Sequence, residues 1–198
     1  MKEHIILASA SPRRRELLSS MGLEYRVVVS DADESAVSAE GVPPDIYVQE
    51  LALIKAAAAA KQVMKDRNAV IISADTIVVN GGKILGKPED AQEAFDMLSS
   101  LSGHGHKVYT GCCVMRIRDG KTICRSVATD VYFKELSEDK IWRYIATGEP
   151  ADKAGAYGIQ GLGGMLVERI DGDYQNVVGL SVSALADTLE KDFDIEIF

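Results

Sequence analysis

Ile5-Ile6-Leu7-Ala8-Ser9, running on through Ala10-Ser11-Pro12-Arg13-Arg14-Arg15-Glu16-Leu17-Leu18, reads as a short buried strand, a tight turn and the start of a helix. Ser11 suits the N-cap, Pro12 is preset for the first helical position and Gly22 is the stop signal. A strand leading straight into a helix points to a mixed α/β chain. The stretch also carries an unusual charge pattern. The positive end of a helix dipole favours acidic residues in the first turn, yet Arg13, Arg14 and Arg15 sit there beside unpaired backbone N–H groups. Backbone donors, dipole and guanidinium forks converging on one point describe a bound phosphate, whereas an isolated basic triplet is equally compatible with a solvated face. Neither a Walker lysine pattern nor a Rossmann glycine fingerprint follows, so the cradle is of another kind.

Working outward, residues 24–29 form a second strand, and Ser30-Asp31-Ala32-Asp33-Glu34 is an acidic loop at its end. Such a run usually belongs to a solvated face, but strand-end carboxylates are also well placed to hold a hard cation such as Mg2+. A long helix starts near Pro43-Pro44, passes through the alanine run 56–60 and ends near Asp66. Val48, Leu51, Lys55 and Ala59 share one stripe of it, so a lysine stands where an apolar residue is expected. Its ammonium either snorkels to the edge or is aimed into a cleft. Residues 70–72 and 77–79 look like strand, interrupted by Ser73-Ala74-Asp75-Thr76. An unpaired buried charge is costly, so Asp75 must be paired or face a cavity, and a functional role explains it best.

Asn80-Gly81-Gly82 turns a hairpin whose return is Lys83-Ile84-Leu85, and Gly86-Lys87-Pro88 introduces a helix through about Leu101 with Gly103 as its cap. Residues 108–136 read as a long antiparallel hairpin around Asp119-Gly120; a two-residue connection there sets Cys124 across from Met115. Ser137-Glu138-Asp139 opens another helix that Gly148 ends, this time with acids in the first turn, in contrast to Arg13–Arg15. A glycine-rich loop, 153–164, contains Tyr157 and Gln160; a last hairpin turns near Asp171-Gly172; a helix spans Ser181 to about Lys191; and Ile195-Glu196-Ile197 closes the sheet edge. Trp142 reads as core in an amphipathic helix, and His104-Gly105-His106 is no zinc pattern without further ligands.

Length and composition bound the function. At 198 residues, 46% hydrophobic and 26% charged, the chain suits one globular domain, 1–198. No apolar run is long enough for a membrane span and no signal peptide opens the chain, so the expected location is cytoplasmic. Three irregularly spaced cysteines read as packing residues, and no disulfide framework follows from them. A net charge of −8 repels both nucleotides and nucleic-acid backbones, so an anionic ligand needs a concentrated basic pocket, a divalent cation or both, and nucleic acid is not the expected partner.

Several blocks in this order resemble the Maf family, the septum-formation-inhibitor-like nucleoside triphosphate pyrophosphatases: 8–18, Ala74-Asp75-Thr76, Gly86-Lys87-Pro88, 106–111, Gly148-Glu149-Pro150 with 152–161, Gly172-Asp173-Tyr174 and 176–180. Ser181 departs from the proline many members carry there, and a serine can cap the helix that follows. The resemblance implies a Maf/ITPase-like fold, a mixed twisted sheet flanked by helices with two lobes and a central cleft. It implies hydrolysis of a nucleoside triphosphate to the monophosphate and pyrophosphate with a divalent metal, Mg2+ or Mn2+. The family's historical name adds an expected link to cell division.

The chemistry needs an activated water, a neutralised α-phosphate and a stabilised leaving group, supplied mostly by positioning and electrostatics. Asp75, the position the resemblance treats as proton acceptor, is the expected base, with Glu34 its partner on the metal. Arg14, Lys55, Lys87 and Lys153 are expected around the phosphates with Ser9 as a neutral donor, although Lys153 beside Asp152 can equally form a local ion pair. The resemblance names Arg13, Thr76 and Gln160 as specificity positions and places Gly158-Ile159-Gln160-Gly161 with the branch acting on dTTP and UTP rather than on 7-methylguanosine triphosphate. A glutamine amide suits uracil, or flipped, cytosine; the donor-only guanidinium of Arg13 favours the O4 carbonyl of uracil or thymine, unless it binds phosphate. A homodimer remains open.

Overall fold

In the computed structural model, which describes residues 3–197, the opening stretch folds as read. β1 (His4–Leu7) runs into α1 (Pro12–Ser20), and the Ser11 hydroxyl caps the helix by accepting from the Arg14 backbone N–H at 3.5 Å. β1 lies between two parallel neighbours, β2 (Tyr25–Val27) and β3 (Ala69–Asn80), with Ile5, Ile6 and Leu7 opposite Val70, Ile71 and Ile72 of β3. All six of those residues are buried, which is why the two strands are unbroken apolar runs there. With β4 (Lys83–Leu85), β5 (Gly105–Arg116), β6 (Thr122–Phe133) and β7 (Val167–Asp171) they form a seven-stranded mixed sheet ordered β2-β1-β3-β5-β6-β7. β4 is antiparallel to β3, and β7 antiparallel to β6. The helices that flank it are α2 (Pro44–Gln62), α3 (Ala91–Leu101), α4 (Glu138–Ile145), α5 (Tyr174–Val178) and α6 (Val182–Phe193).

The chain divides into two compact units, one of Met1–Asp75, Thr110–Val127 and Gly179–Phe198, the other of Thr76–Tyr109 and Ala128–Val178. In the first, Ala52, Ala56 and Ala59 of α2 pack with Ile6, Ala8, Ile71 and Cys113. The small side chains let the backbones meet: a Cβ on Gly111 of β5 would stand 2.2 Å from the Val48 carbonyl oxygen of α2. In the second, Leu98 and Leu101 of α3 and Ile141 and Tyr144 of α4 pack with Val78, Val131 and Phe133 of the strands.

Several boundaries differ from expectation for identifiable reasons. The polar residues at 73–76 do not break β3, because they are paired: Ser73 donates to the Ala52 carbonyl at 2.6 Å, and Asp75 meets Lys55. α3 starts at Ala91 instead of Pro88, since Asp90 accepts from the Glu93 N–H at 2.8 Å and the Glu93 carboxylate returns to the Glu89 N–H at 2.6 Å. α2 ends at Gln62, short of Asp66. Four residues separate the bonded pair Arg116 and Lys121 at the β5–β6 turn: the Arg116 N–H donates to Lys121 O and the Gly120 N–H to Arg116 O, each at 2.9 Å. Counting back from that pair sets Cys124 opposite Cys113, not Met115, and both cysteines join the α2 cluster. Among the described residues no strand follows Gly172; Asp173 instead accepts from the N–H groups of Gln175 and Asn176 and starts α5. Residues 195–197 form no strand, because Asp194 turns left-handed at φ 58° after α6. Trp142 is 41% exposed and stacks on Phe95 at 4.7 Å, so it covers the core rather than filling it.

Candidate active site

In the first unit the structure brings together the residues that broke the local sequence pattern. α2 carries Lys55 two turns after Val48, and its ammonium lies 2.5 Å from Asp75 Oδ1 and 3.0 Å from Glu34 Oε1. Lys55 and Asp75 are both largely enclosed, whereas Glu34 is more than half exposed. The lysine thus neither snorkels nor lines the core; it neutralises two carboxylates that would otherwise repel each other. The acidic loop is tied to the same helix further along, where Gln62 Nε2 donates to Val29 O at 3.1 Å and to Asp31 Oδ1 at 3.3 Å. Asp33 caps the turn Glu34–Ala36 by accepting from the Ser35 N–H at 3.1 Å, which fixes where Glu34 begins. Of the three acids in that loop, Glu34 is therefore the one presented to Lys55.

The arginine triplet separates by role. Arg14 donates from Nε to the Gly179 carbonyl at 2.8 Å and from Nη1 to Ser9 Oγ at 3.4 Å. Burial pushes its guanidinium below the usual arginine range, opposed by the charges of Asp75 and Glu34, so it sits in the field of that pair. Arg13 is half-buried and Arg15 exposed. The buried hydroxyl of Ser9 also accepts from the Ser11 N–H at 3.2 Å, so the turn before α1 converges on one oxygen. No acidic residue occupies the first turn of α1.

In the second unit lie Thr76, Lys87, Lys153 and Gln160. The loop of Lys87 is joined to that of Lys153 by the Gly155 N–H donating to Gly86 O at 2.9 Å. Lys153 forms the local ion pair with Asp152 at 2.6 Å and also donates to the Glu149 carbonyl at 3.0 Å. Gln160 is exposed and precedes the turn Gly161–Leu166.

Two neighbours escaped the sequence reading. Tyr47 stands two turns before Lys55 on α2, its hydroxyl made less acidic first by burial and then by the charges of Asp75 and Glu34; the spacing of 47, 51 and 55 was the available signal. Glu149, just after the helix stop Gly148, holds the Gln160 loop.

Among the described residues no three His, Cys, Asp or Glu side chains gather as a metal cage. Glu34 and Asp75 nevertheless supply two hard oxygen donors within reach of one cation, the Lys55 ammonium, and that donor set fits Mg2+ or Mn2+, which are bound by one or two carboxylates with water and substrate phosphates completing the shell. No helix among the described residues is long and apolar enough to cross a membrane.

The family profile described as Maf-like protein matches residues 4–192. The dTTP/UTP pyrophosphatase of Thermoanaerobacter sp. (strain X514) is 48% identical over 193 residues, 98% of each chain. That of Thermococcus kodakarensis is 50% identical over 191 residues, 96% of this chain and 98% of its own. Among solved structures, the Ham1 protein of Staphylococcus aureus superposes with a TM-score of 0.49 at 16% identity, covering 83% of this chain and 80% of its own.

Proposed function

We propose, from the premise that this chain belongs to the Maf family, that it is a nucleoside triphosphate pyrophosphatase taking dTTP and UTP to the monophosphate and pyrophosphate. The observation that carries the chemical assignment is the Lys55 ammonium seated on both Asp75 and Glu34. Asp75 accepts a proton from the water that attacks the α-phosphorus. The bond from that phosphorus to the bridging oxygen breaks, and pyrophosphate leaves. Arg14, with its guanidinium buried against Ser9 and Gly179, and Lys55 stabilise the negative charge that builds up on the phosphates. Glu34 and Asp75 would hold a divalent cation, which would supply positive charge to the substrate phosphates.

Lys87 and Lys153 are assigned phosphate contacts, and Arg13, Thr76 and Gln160 the choice of base. Uracil and thymine offer a carbonyl at O4 where cytosine offers an amine, so the donor-only Arg13 supports the pyrimidine pair named for the relatives. A screen of common and modified nucleoside triphosphates with Mg2+ or Mn2+ tests the reading. Pyrophosphate should be released, fastest from dTTP and UTP; orthophosphate from every nucleotide tested would overturn the reaction.

A further inference from the structure

The loop that presents Gln160 is built around a residue with no role in the chemistry above. Glu149 follows Gly148, whose φ of 76° ends the helical run of α4. Its carboxylate reaches thirteen and fourteen residues along the chain: Oε2 accepts from the Leu162 N–H at 3.0 Å, and Oε1 from the Gly163 N–H at 2.9 Å and the Tyr144 hydroxyl at 3.0 Å. Leu162 and Gly163 open the turn that Gln160 enters, so a distant carboxylate satisfies the donors that a cap residue normally takes. The Gln160 side chain takes no part in that capping.

The glycines of the loop follow from the same contact. Gly161 has a φ of 75°, and a Cβ there would stand 3.0 Å from Glu149 Oε2. At Gly163 a Cβ would meet Gly158 O at 2.3 Å and the Tyr144 hydroxyl at 2.7 Å. The main chain of Glu149 serves the second substrate contact, since its carbonyl accepts from Lys153 Nζ at 3.0 Å while the lysine stem crosses Gly158, where a Cβ would be 2.7 Å from Lys153 Cε. Burial acts to raise the Glu149 carboxyl, but the bonds from Gly163, Leu162 and Tyr144 outweigh it and hold the group below the usual carboxylate range, charged in its acceptor role.

We infer that Glu149 is a specificity-positioning residue, whose carboxylate fixes the loop so that Gln160 meets the base and whose carbonyl steadies Lys153 for a phosphate. The inference rests on the assignment of Gln160 and Lys153 as substrate contacts. Glu149→Gln keeps the size but offers one acceptor oxygen and one amide donor, leaving a loop N–H facing another donor. Steady-state kinetics on UTP and ATP, whose larger base brings its edge to a different distance so that the Gln160 amide cannot serve both by turning over, read the effect with melting temperature, and Gln160→Ala runs beside it as the direct test of base reading.

The expected result is a fall of about tenfold in kcat/KM on UTP, carried by KM, and a UTP to ATP ratio lowered in step with Gln160→Ala. The melting temperature should fall by no more than about 4 °C. Tyr144→Phe, which keeps both N–H contacts, should move the ratio in the same direction by about two- to threefold. If Gln160→Ala lowers the ratio and Glu149→Gln does not, or if Glu149→Gln weakens UTP and ATP equally, Glu149 is a stability residue only and the inference is overturned. If Gln160→Ala leaves the ratio unmoved, base reading by Gln160 fails, and the positioning role falls with it. Should Glu149→Gln not fold, an unchanged ratio in Tyr144→Phe overturns the inference.

Discussion

Lys55 holds the candidate site in its resting arrangement, because one ammonium lies 2.5 Å from the Asp75 carboxylate and 3.0 Å from that of Glu34 and draws both to one place. Asp75→Asn keeps the shape of that contact but removes the proton acceptor and a charge. Turnover should fall by at least about a hundredfold while nucleotide affinity, measured by equilibrium titration, changes little; retention of most turnover would take Asp75 out of its role. Arg13→Gln tests discrimination. If the guanidinium donates to O4, losing a charge-assisted hydrogen bond of about 1.5–3 kcal/mol lowers UTP activity by roughly ten- to a hundredfold, while relative CTP activity rises because an amide can turn to accept from the cytosine amine. An unchanged UTP to CTP ratio would instead make Arg13 a phosphate ligand. Lys55, Asp75 and Arg14 were legible in the sequence because each violates a local rule: a cation on an apolar stripe, an acid within a buried strand, a base at the positive end of a helix. Tyr47 and Glu149 violate none. An aromatic residue suits an amphipathic helix and a glutamate suits a helix exit, so Tyr47 shows in the sequence only through its spacing from Lys55, and Glu149 shows only through its contacts.

Helix α2 connects the packing of the first unit to its chemistry, since the face that buries Ala52, Ala56 and Ala59 fixes the direction of Lys55. The closest approach is at Gly111, where an added Cβ would stand 2.2 Å from Val48 O and 2.4 Å from Val48 C. These are backbone atoms, so Gly111→Ala has to lift the helix from the strand. A cost of about 3 kcal/mol corresponds to a fall in melting temperature of roughly 6–12 °C for a chain of this size, with loss of turnover because Lys55 moves with the helix. Gly86→Ala is the contrasting case: its Cβ would meet nothing within 4 Å, and its melting temperature should stay within about 1–2 °C of the parent. Calorimetry of the two variants checks the pair, and equal melting temperatures would remove the close approach as a determinant. At this scale the sequence revealed element types well and their ends poorly. The apolar run identified β1, the cap residues Ser11 and Pro12 identified α1, the Pro43-Pro44 start and alanine run identified α2, and Asp119-Gly120 identified the β5–β6 hairpin. The start of α3 was decided by the Asp90–Glu93 cap, and the register of the hairpin by a turn with four residues between Arg116 and Lys121 that looks from sequence like two.

For the molecule as a whole, a net charge of −8 means that an anionic substrate is bound against the average field, and enclosed titratable groups add a response to acid of their own. His106 is the clearest of them. It is 3% exposed, its Nε2 lies 2.7 Å from the Tyr157 hydroxyl, its ring meets the Phe133 edge at 5.1 Å, and its Nδ1 has no hydrogen-bond partner among the described residues. Burial pushes the imidazole from 6.5 down to about 4, with the charge of Asp130 opposing, so it is neutral in the folded protein near pH 7. Because the folded value lies below the unfolded one, the unfolded chain binds a proton between pH 6.5 and 4 that the folded chain does not. Stability from this group is therefore complete above about pH 6.5 and is lost as the pH falls toward 4, a difference of about 3 kcal/mol. Denaturant unfolding of the wild type should show that decline across the window, beyond what surface groups contribute. His106→Phe gives up the Tyr157 contact and starts lower at pH 7, yet its unfolding free energy should be nearly flat from pH 6.5 to 4.5. A variant that keeps the wild-type slope would place the acid sensitivity elsewhere, because a phenylalanine has no proton to take up when the second unit unfolds.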